Sequence, residues 1–211
     1  PEDRENLLRR GGLEIYTTMN IKIQTAADKA SKTWVPVDEP NQIGSASVSV
    51  QVGTGRILAM AQNRVFDQTE NPPLGHTSVN YASDRDYGGS SGFQSGSTYK
   101  IFTLAAWLNA GKKLEDHVDG RVREWNASDF RARCGSLVGT WAPGNIVKEP
   151  EDVSVVQATA ISENTAFANM ASQLDLCDIR DLALAFGVHR ADGTELQYVC
   201  LLYTSPSPRD S

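Results

Sequence analysis

The chain has 211 residues, with 20 Lys and Arg against 26 Asp and Glu, a net charge of −6 and 40 % apolar residues. That length suffices for one domain with a sizeable core. The acidic balance argues against a nucleic-acid partner, and no run approaches transmembrane length or reads as a signal segment.

Residues 1–12 are charged and then glycine-rich, and read as a linker. Residues 13–62 predict a strand, a helix opening at Ile21 and a hairpin. Residues 46–52 alternate as a strand does, Gly53-Thr54-Gly55 supplies turn chemistry, and residues 56–61 form the second strand. Residues 63–96 read as a long loop region, with Asn71-Pro72-Pro73 in its middle and a glycine-rich stretch over 87–96. The apolar run from Ile101 to Leu108 predicts a helix over 97–110. Residues 113–150 read as irregular, with Trp125 and Trp141 as aromatics that pack or line a groove, packing being the stronger reading. Helical patterns follow over 152–161, 165–173 and 178–186. No internal repeat or low-complexity segment appears before the C-terminal tail.

Gly96-Ser97-Thr98-Tyr99-Lys100 places a serine and a lysine three apart at the start of the predicted helix, so both share one face. Helix N-termini present unpaired N–H groups and partial positive charge, which favour an oxyanion. A hydroxyl with an amine one turn away suits an activated nucleophile. Spacing alone equally permits a helix N-cap serine followed by a solvated lysine. Ser162-Glu163-Asn164 lies between two helical patterns. It reads as a cap between helices or as a second catalytic pair, Ser162 and Asn164. Glu163 between them reads as a solvated spacer in preference to a base for water.

From about residue 10 to residue 196 these pieces agree, in order and content, with one family. Arg10-Gly11-Gly12-Leu13-Glu14-Ile15-Tyr16-Thr17-Thr18-Met19-Asn20 resembles the opening of the transpeptidase domain of bifunctional (class A) penicillin-binding proteins. The hairpin with Gly53-Thr54-Gly55 and Ile57-Leu58-Ala59-Met60 resembles that family's first strands. The run from Asn80-Tyr81-Ala82 to Lys100 resembles its approach to the nucleophile, departing at Ser95 where relatives usually carry proline. Ser-x-x-Lys is the nucleophile motif of penicillin-binding proteins and serine β-lactamases. The sequence has an actinobacterial tone.

The resemblance implies an α/β (α+β) penicillin-recognising serine transpeptidase or β-lactamase-like fold. The third family motif, Lys-Thr-Gly or Lys-Ser-Gly, is absent from the sequence. The chain is therefore expected to be truncated before its last sheet strands and to have little activity by itself. Residues 13–199 would be a partial transpeptidase domain. Residues 1–12 would link it to an upstream glycosyltransferase domain and membrane anchor. Residues 200–211 resemble no part of the family and read as a translated sequencing adapter, the alternative being a genuine Ser/Pro-rich tail.

In the implied reaction Ser97 attacks a terminal D-alanyl-D-alanine of a peptidoglycan stem peptide, and Lys100 accepts its proton. Ser162 relays that proton to the leaving amine. Asn164 binds the substrate amide and orients Lys100. The Ser97 N–H forms half of an oxyanion hole. An amine of a neighbouring stem peptide then takes the acyl group, and β-lactams trap Ser97. The parent protein would act on the extracytoplasmic face of the cell membrane. A serine β-lactamase, a D,D-carboxypeptidase, a non-catalytic β-lactam sensor and a decayed remnant are the alternatives. Outside the tail the cysteines are an even pair, Cys134 and Cys177, a disulfide candidate in an extracytoplasmic setting, two buried thiols being the alternative. His76, His117 and His189 are scattered and no Cys-x-x-Cys occurs, so no metal and no cofactor is expected.

Overall fold

The computed structural model describes residues 2–146 and 150–198, with side chains from Asn6 onward. The predicted tail, 200–211, lies outside the described residues. The chain divides into two compact units, 1–92 and 93–211, each of which is described by itself.

The first unit opens with a helix, α1 (Glu2–Arg10), where the sequence reads as a linker. Nothing in that run breaks a helix before Gly11 and Gly12, whose φ of +71° and +76° end it. Leu7 and Leu8 are exposed on it. The strand expected after residue 13 does not form. Among the described residues, the hydrogen bonds from 13–20 to the hairpin are the Asn20 N–H to the Leu58 carbonyl (2.8 Å) and the Thr18 hydroxyl to the Ile57 carbonyl (2.5 Å). Two such contacts are too few for a ladder. Helix α2 (Ile21–Trp34) is capped by Asn20, whose side chain accepts from the Lys22 and Ile23 amides.

Strands β1 (Ala46–Val50) and β2 (Ile57–Gln62) form the expected antiparallel hairpin, with Val48 opposite Met60 and a bulge between Ser49 and Val50. The Gln24 amide from α2 closes the outer edge of β2. Its Nε2 donates to the Met60 carbonyl (3.0 Å), and its Oε1 accepts from the Met60 N–H (2.9 Å). A side-chain amide thereby replaces a neighbouring strand at that step. Short strands β3 (Val65–Phe66) and β4 (His76–Thr77) pair in parallel, and a single helical turn α3 (Arg85–Gly88) follows.

The second unit starts with a 3-10 turn, Gly96–Tyr99, that runs directly into helix α4 (Lys100–Asn109). Strand β5 (His117–Asp119) pairs antiparallel with β8 (Asp152–Ser154), and β6 (Trp125–Asn126) with β7 (Thr140–Trp141). The region read as irregular thus carries three short strands. The helix expected from residue 152 starts as a strand, because Val153 faces Val118 across the ladder. The helix proper, α5 (Val155–Ala160), begins after the Ser154 cap. Helices α6 (Asn164–Ser172) and α7 (Leu176–Ala185) complete the unit.

Its core joins Trp107 of α4, Val118 of β5, Val153 of β8, Phe167 and Met170 of α6 and Ile179 of α7. Trp125 and Trp141 sit opposite each other on β6 and β7, and both flank Phe130, with ring centroids at 5.4 and 6.2 Å. Trp125 is 3 % exposed. Both tryptophans pack. Cys134 and Cys177 form a disulfide, Cα atoms 6.0 Å apart, that ties the loop after β6 to the first turn of α7. Arg133 reinforces the same junction by pairing with Asp175, Asp178 and Asp181. Among the described residues no helix is long and apolar enough to cross a membrane.

Candidate active site

All four side chains singled out in the sequence lie in the second unit. Ser97 stands exposed in the 3-10 turn and Lys100 is its last-turn neighbour, 6 % exposed. In a 3-10 turn residues i and i+3 eclipse. The turn therefore aligns Ser97 and Lys100 more closely than the expected α-helix would, and Lys100 Nζ lies 3.4 Å from Ser97 Oγ. Gly96, at φ +51°, makes the bend that presents the serine. A residue with a Cβ is strained at that φ.

Burying an ammonium requires partners. Lys100 Nζ donates to the Ser162 carbonyl (2.5 Å), the Ser162 hydroxyl (3.0 Å) and Asn164 Oδ1 (2.6 Å), and it lies 5.5 Å from the centre of the Phe167 ring. Burial pushes the Lys100 pKa down to about 8, against the opposing pull of the Glu163 carboxylate. An amine so placed is neutral often enough near neutral pH to accept a proton from Ser97.

The Ser162-Glu163-Asn164 turn caps a helix and also faces Lys100. The Ser162 N–H donates to the Thr159 carbonyl (3.2 Å) and the Glu163 N–H to the Ala158 carbonyl (2.9 Å). That is the pair of bonds of a Schellman end to α5. Ser162 occupies its left-handed position, φ +56°, where glycine is usual. The bend turns both the carbonyl and the hydroxyl of Ser162 onto Lys100. Strained backbone of this kind is concentrated at functional sites.

Glu163 is not the solvated spacer expected from the sequence. It is 1 % exposed, and its Oε1 lies 3.1 Å from the Thr165 hydroxyl, whose single proton goes to the nearer Gly120 carbonyl (2.6 Å). A Cβ on Gly120 would come within 2.2 Å of that same oxygen, so a glycine is required there.

Asn164 is the first residue of α6. Its Nδ2 donates to the Gly144 carbonyl (2.7 Å), which leaves Oδ1 aimed at Lys100. The helix has no cap of its own, since the Glu163 side chain makes none. Asn145, nineteen residues earlier, supplies it. Its Oδ1 accepts from the Asn164 and Thr165 amides (2.9 and 3.3 Å), and its Nδ2 donates to the Thr165 hydroxyl (2.9 Å). Sequence reasoning passed over Asn145 and the burial of Glu163. The only local signal for Asn145 is the turn chemistry of Pro143-Gly144-Asn145.

A family profile, the penicillin binding protein transpeptidase domain, matches residues 46–199. The chain belongs to the penicillin-binding protein transpeptidase family. Solved structures agree in fold. The penicillin-binding protein PonA1 from Mycobacterium tuberculosis superposes with a TM-score of 0.62 at 20 % identity, over 93 % of this chain and 47 % of that one. PonA1 in complex with penicillin V gives 0.64 at 21 %, over 94 % and 48 %. The imipenem acyl-enzyme complex of penicillin-binding protein A from M. tuberculosis gives 0.59 at 24 %, over 82 % and 40 %. The chain spans about half the length of these solved chains, and at these identities the likeness establishes the penicillin-recognising α/β fold. No curated protein matches the chain.

Among the described residues, no three His, Cys, Asp or Glu side chains are grouped as a metal ion requires. The site is built from hydroxyls, one amine and two amides, a set suited to acyl transfer.

Proposed function

We propose that this chain carries the acylating half of a peptidoglycan D,D-transpeptidase site, in a class A penicillin-binding protein with a glycosyltransferase domain and a membrane anchor, acting at the extracytoplasmic face. The observation that carries the reading is Lys100 Nζ, buried, depressed in pKa and within reach of Ser97 Oγ, Ser162 Oγ and Asn164 Oδ1 together.

The residues take these roles. Neutral Lys100 accepts the Ser97 proton as Oγ bonds to the carbonyl carbon of the penultimate D-alanine. The Ser97 N–H faces the developing oxyanion. The carbon–nitrogen bond breaks, and the terminal D-alanine leaves with the proton handed from Lys100 through the Ser162 hydroxyl. Asn164 holds the donor peptide's amide and keeps Lys100 in line. The acyl-serine ester is then attacked by the amine of a second stem peptide. The amine's proton returns to Ser97 Oγ by the same route, and a cross-link forms. A β-lactam enters by the first step and stops there, its ring nitrogen remaining tethered. The solved relatives include a penicillin V complex of PonA1 and an imipenem acyl-enzyme of penicillin-binding protein A, which supports β-lactams as the inhibitor class. The 211 residues alone are expected to acylate far more slowly than the whole protein, since only the Ser97 side of the oxyanion hole is accounted for here.

The test is a fluorescent penicillin on the full-length protein, followed by peptide mass mapping. Label on the peptide holding Ser97, absent in Ser97→Ala, supports the reading. Label elsewhere, or none, overturns it.

A further inference from the structure

The geometry points to Asn145 as a positioning residue that fixes the Asn164 side chain against Lys100. The inference rests on the acyl-serine reading above for its chemical purpose. Its evidence is the way one short segment grips Asn164 from two sides. Asn145 Oδ1 takes the Asn164 backbone N–H at 2.9 Å, while the adjoining Gly144 carbonyl takes the Asn164 side-chain Nδ2 at 2.7 Å.

An amide side chain can rotate about its last bond, exchanging its oxygen and nitrogen. The Gly144 carbonyl accepts and cannot donate, so it selects the rotamer that sends Nδ2 outward and Oδ1 to Lys100. That selection works only while the Asn164 backbone is held at a fixed distance from Gly144. Asn145 sets this distance. It bonds two successive amides of α6 and the Thr165 hydroxyl, which itself donates to the Gly120 carbonyl at 2.6 Å. Helix α6 has no internal cap to do the same. Without Asn145 the first turn has two unpaired amides, and Asn164 is free to turn its NH2 toward the lysine, where it no longer offers the amine an acceptor.

The experiment compares Asn145→Ala and Asn145→Asp in the full-length protein. Asp keeps the acceptor for both amides and so keeps the cap. Two readouts are used. The first needs no activity: amide hydrogen exchange at residues 164 and 165, with trace acetylation of Lys100. The second is penicillin acylation at pH 9, above the value of about 8 to which burial lowers Lys100. The expected result is faster exchange at 164 and 165 and more Lys100 acetylation in Asn145→Ala only. Acylation then falls about 10²-fold in Asn145→Ala, the scale of a misplaced catalytic group, and is largely restored in Asn145→Asp. In an Asn164→Ala background, Asn145→Ala then lowers acylation by less than about 2-fold, because the two act through one group.

Unchanged exchange and Lys100 acetylation in Asn145→Ala overturn the inference. So does Asn145→Asp behaving as Asn145→Ala, or an equal loss in both Asn164 backgrounds. Were the unsubstituted protein to resist penicillin, the acyl-serine reading would fall by itself, and the exchange and acetylation data would still decide whether Asn145 positions Asn164.

Discussion

In the proposed mechanism an ammonium cannot take the Ser97 proton, so the acylation rate follows the fraction of Lys100 that is neutral. Lys100 sits at about 8 because burial disfavours its charge more than Glu163 favours it. Below that pH the neutral fraction falls tenfold per unit, and above it the fraction saturates. The rate of penicillin acylation is therefore expected to climb to about pH 8 and then level. Glu163→Gln tests the cause. It removes the anion that raises the lysine's pKa and keeps a polar side chain of the same shape beside the Thr165 hydroxyl. The ammonium loses support, the pKa falls, and the rising limb moves to lower pH, as a pH–rate profile measured on both proteins would show. A limb that stays in place, or moves up, removes Glu163 from the electrostatics of the site.

At the scale of elements, the site depends on how helices end and what holds them together. Ser162 closes α5 in the left-handed region, where a Cβ costs about 1 kcal/mol relative to glycine. Ser162→Gly is expected to be more stable than Ser162→Ala by about that amount in thermal or urea unfolding, while both lose the hydroxyl and with it acylation rate. Equal stabilities would mean that the turn relaxes on losing its contact to Lys100. The Cys134–Cys177 bridge spans 43 positions of sequence, and a loop of that size restricts the unfolded chain by about 4 kcal/mol. Replacing both cysteines with serine is expected to destabilise the second unit by roughly 3–4 kcal/mol in urea unfolding. Non-reducing peptide mapping of the unsubstituted protein is expected to return the 134 and 177 peptides linked.

For the molecule as a whole, what the sequence discloses depends on the range over which each feature is determined. Ser97 and Lys100 are three apart, and Ser162 and Asn164 two apart, so spacing and resemblance suffice to nominate them as candidates. Joining the two pairs takes the fold, because Lys100 reaches Asn164 across sixty-four positions. Asn145 and Glu163 escape for the same reason: an asparagine in a turn and a glutamate between helices are ordinary surface residues until distant partners bond the one and bury the other. Strand β8 is three residues long and exists only by pairing with β5, so its local pattern reads as the helix that follows it. The division into two units is subtler. The glycine-rich stretch suggests a loop, and the structure puts the boundary inside it, between Gly92 and Phe93. This gives a last expectation. A protease needs several residues of backbone to unfold into its cleft, so local stability and not side-chain exposure alone selects the site. Tyr87 and Phe186 are exposed, yet Tyr87 lies within α3 and Phe186 closes α7. Tyr16 and Phe93 are 88 % and 66 % exposed in segments with neither helix nor strand. Brief chymotrypsin digestion is expected to cut first after these two residues. The product starting at Gln94 would keep Ser97, Lys100, Ser162, Asn164 and the disulfide in one piece, identifiable by mass before reduction. First cleavage after Tyr87 or Phe186 would show that side-chain exposure outweighs the unit boundary.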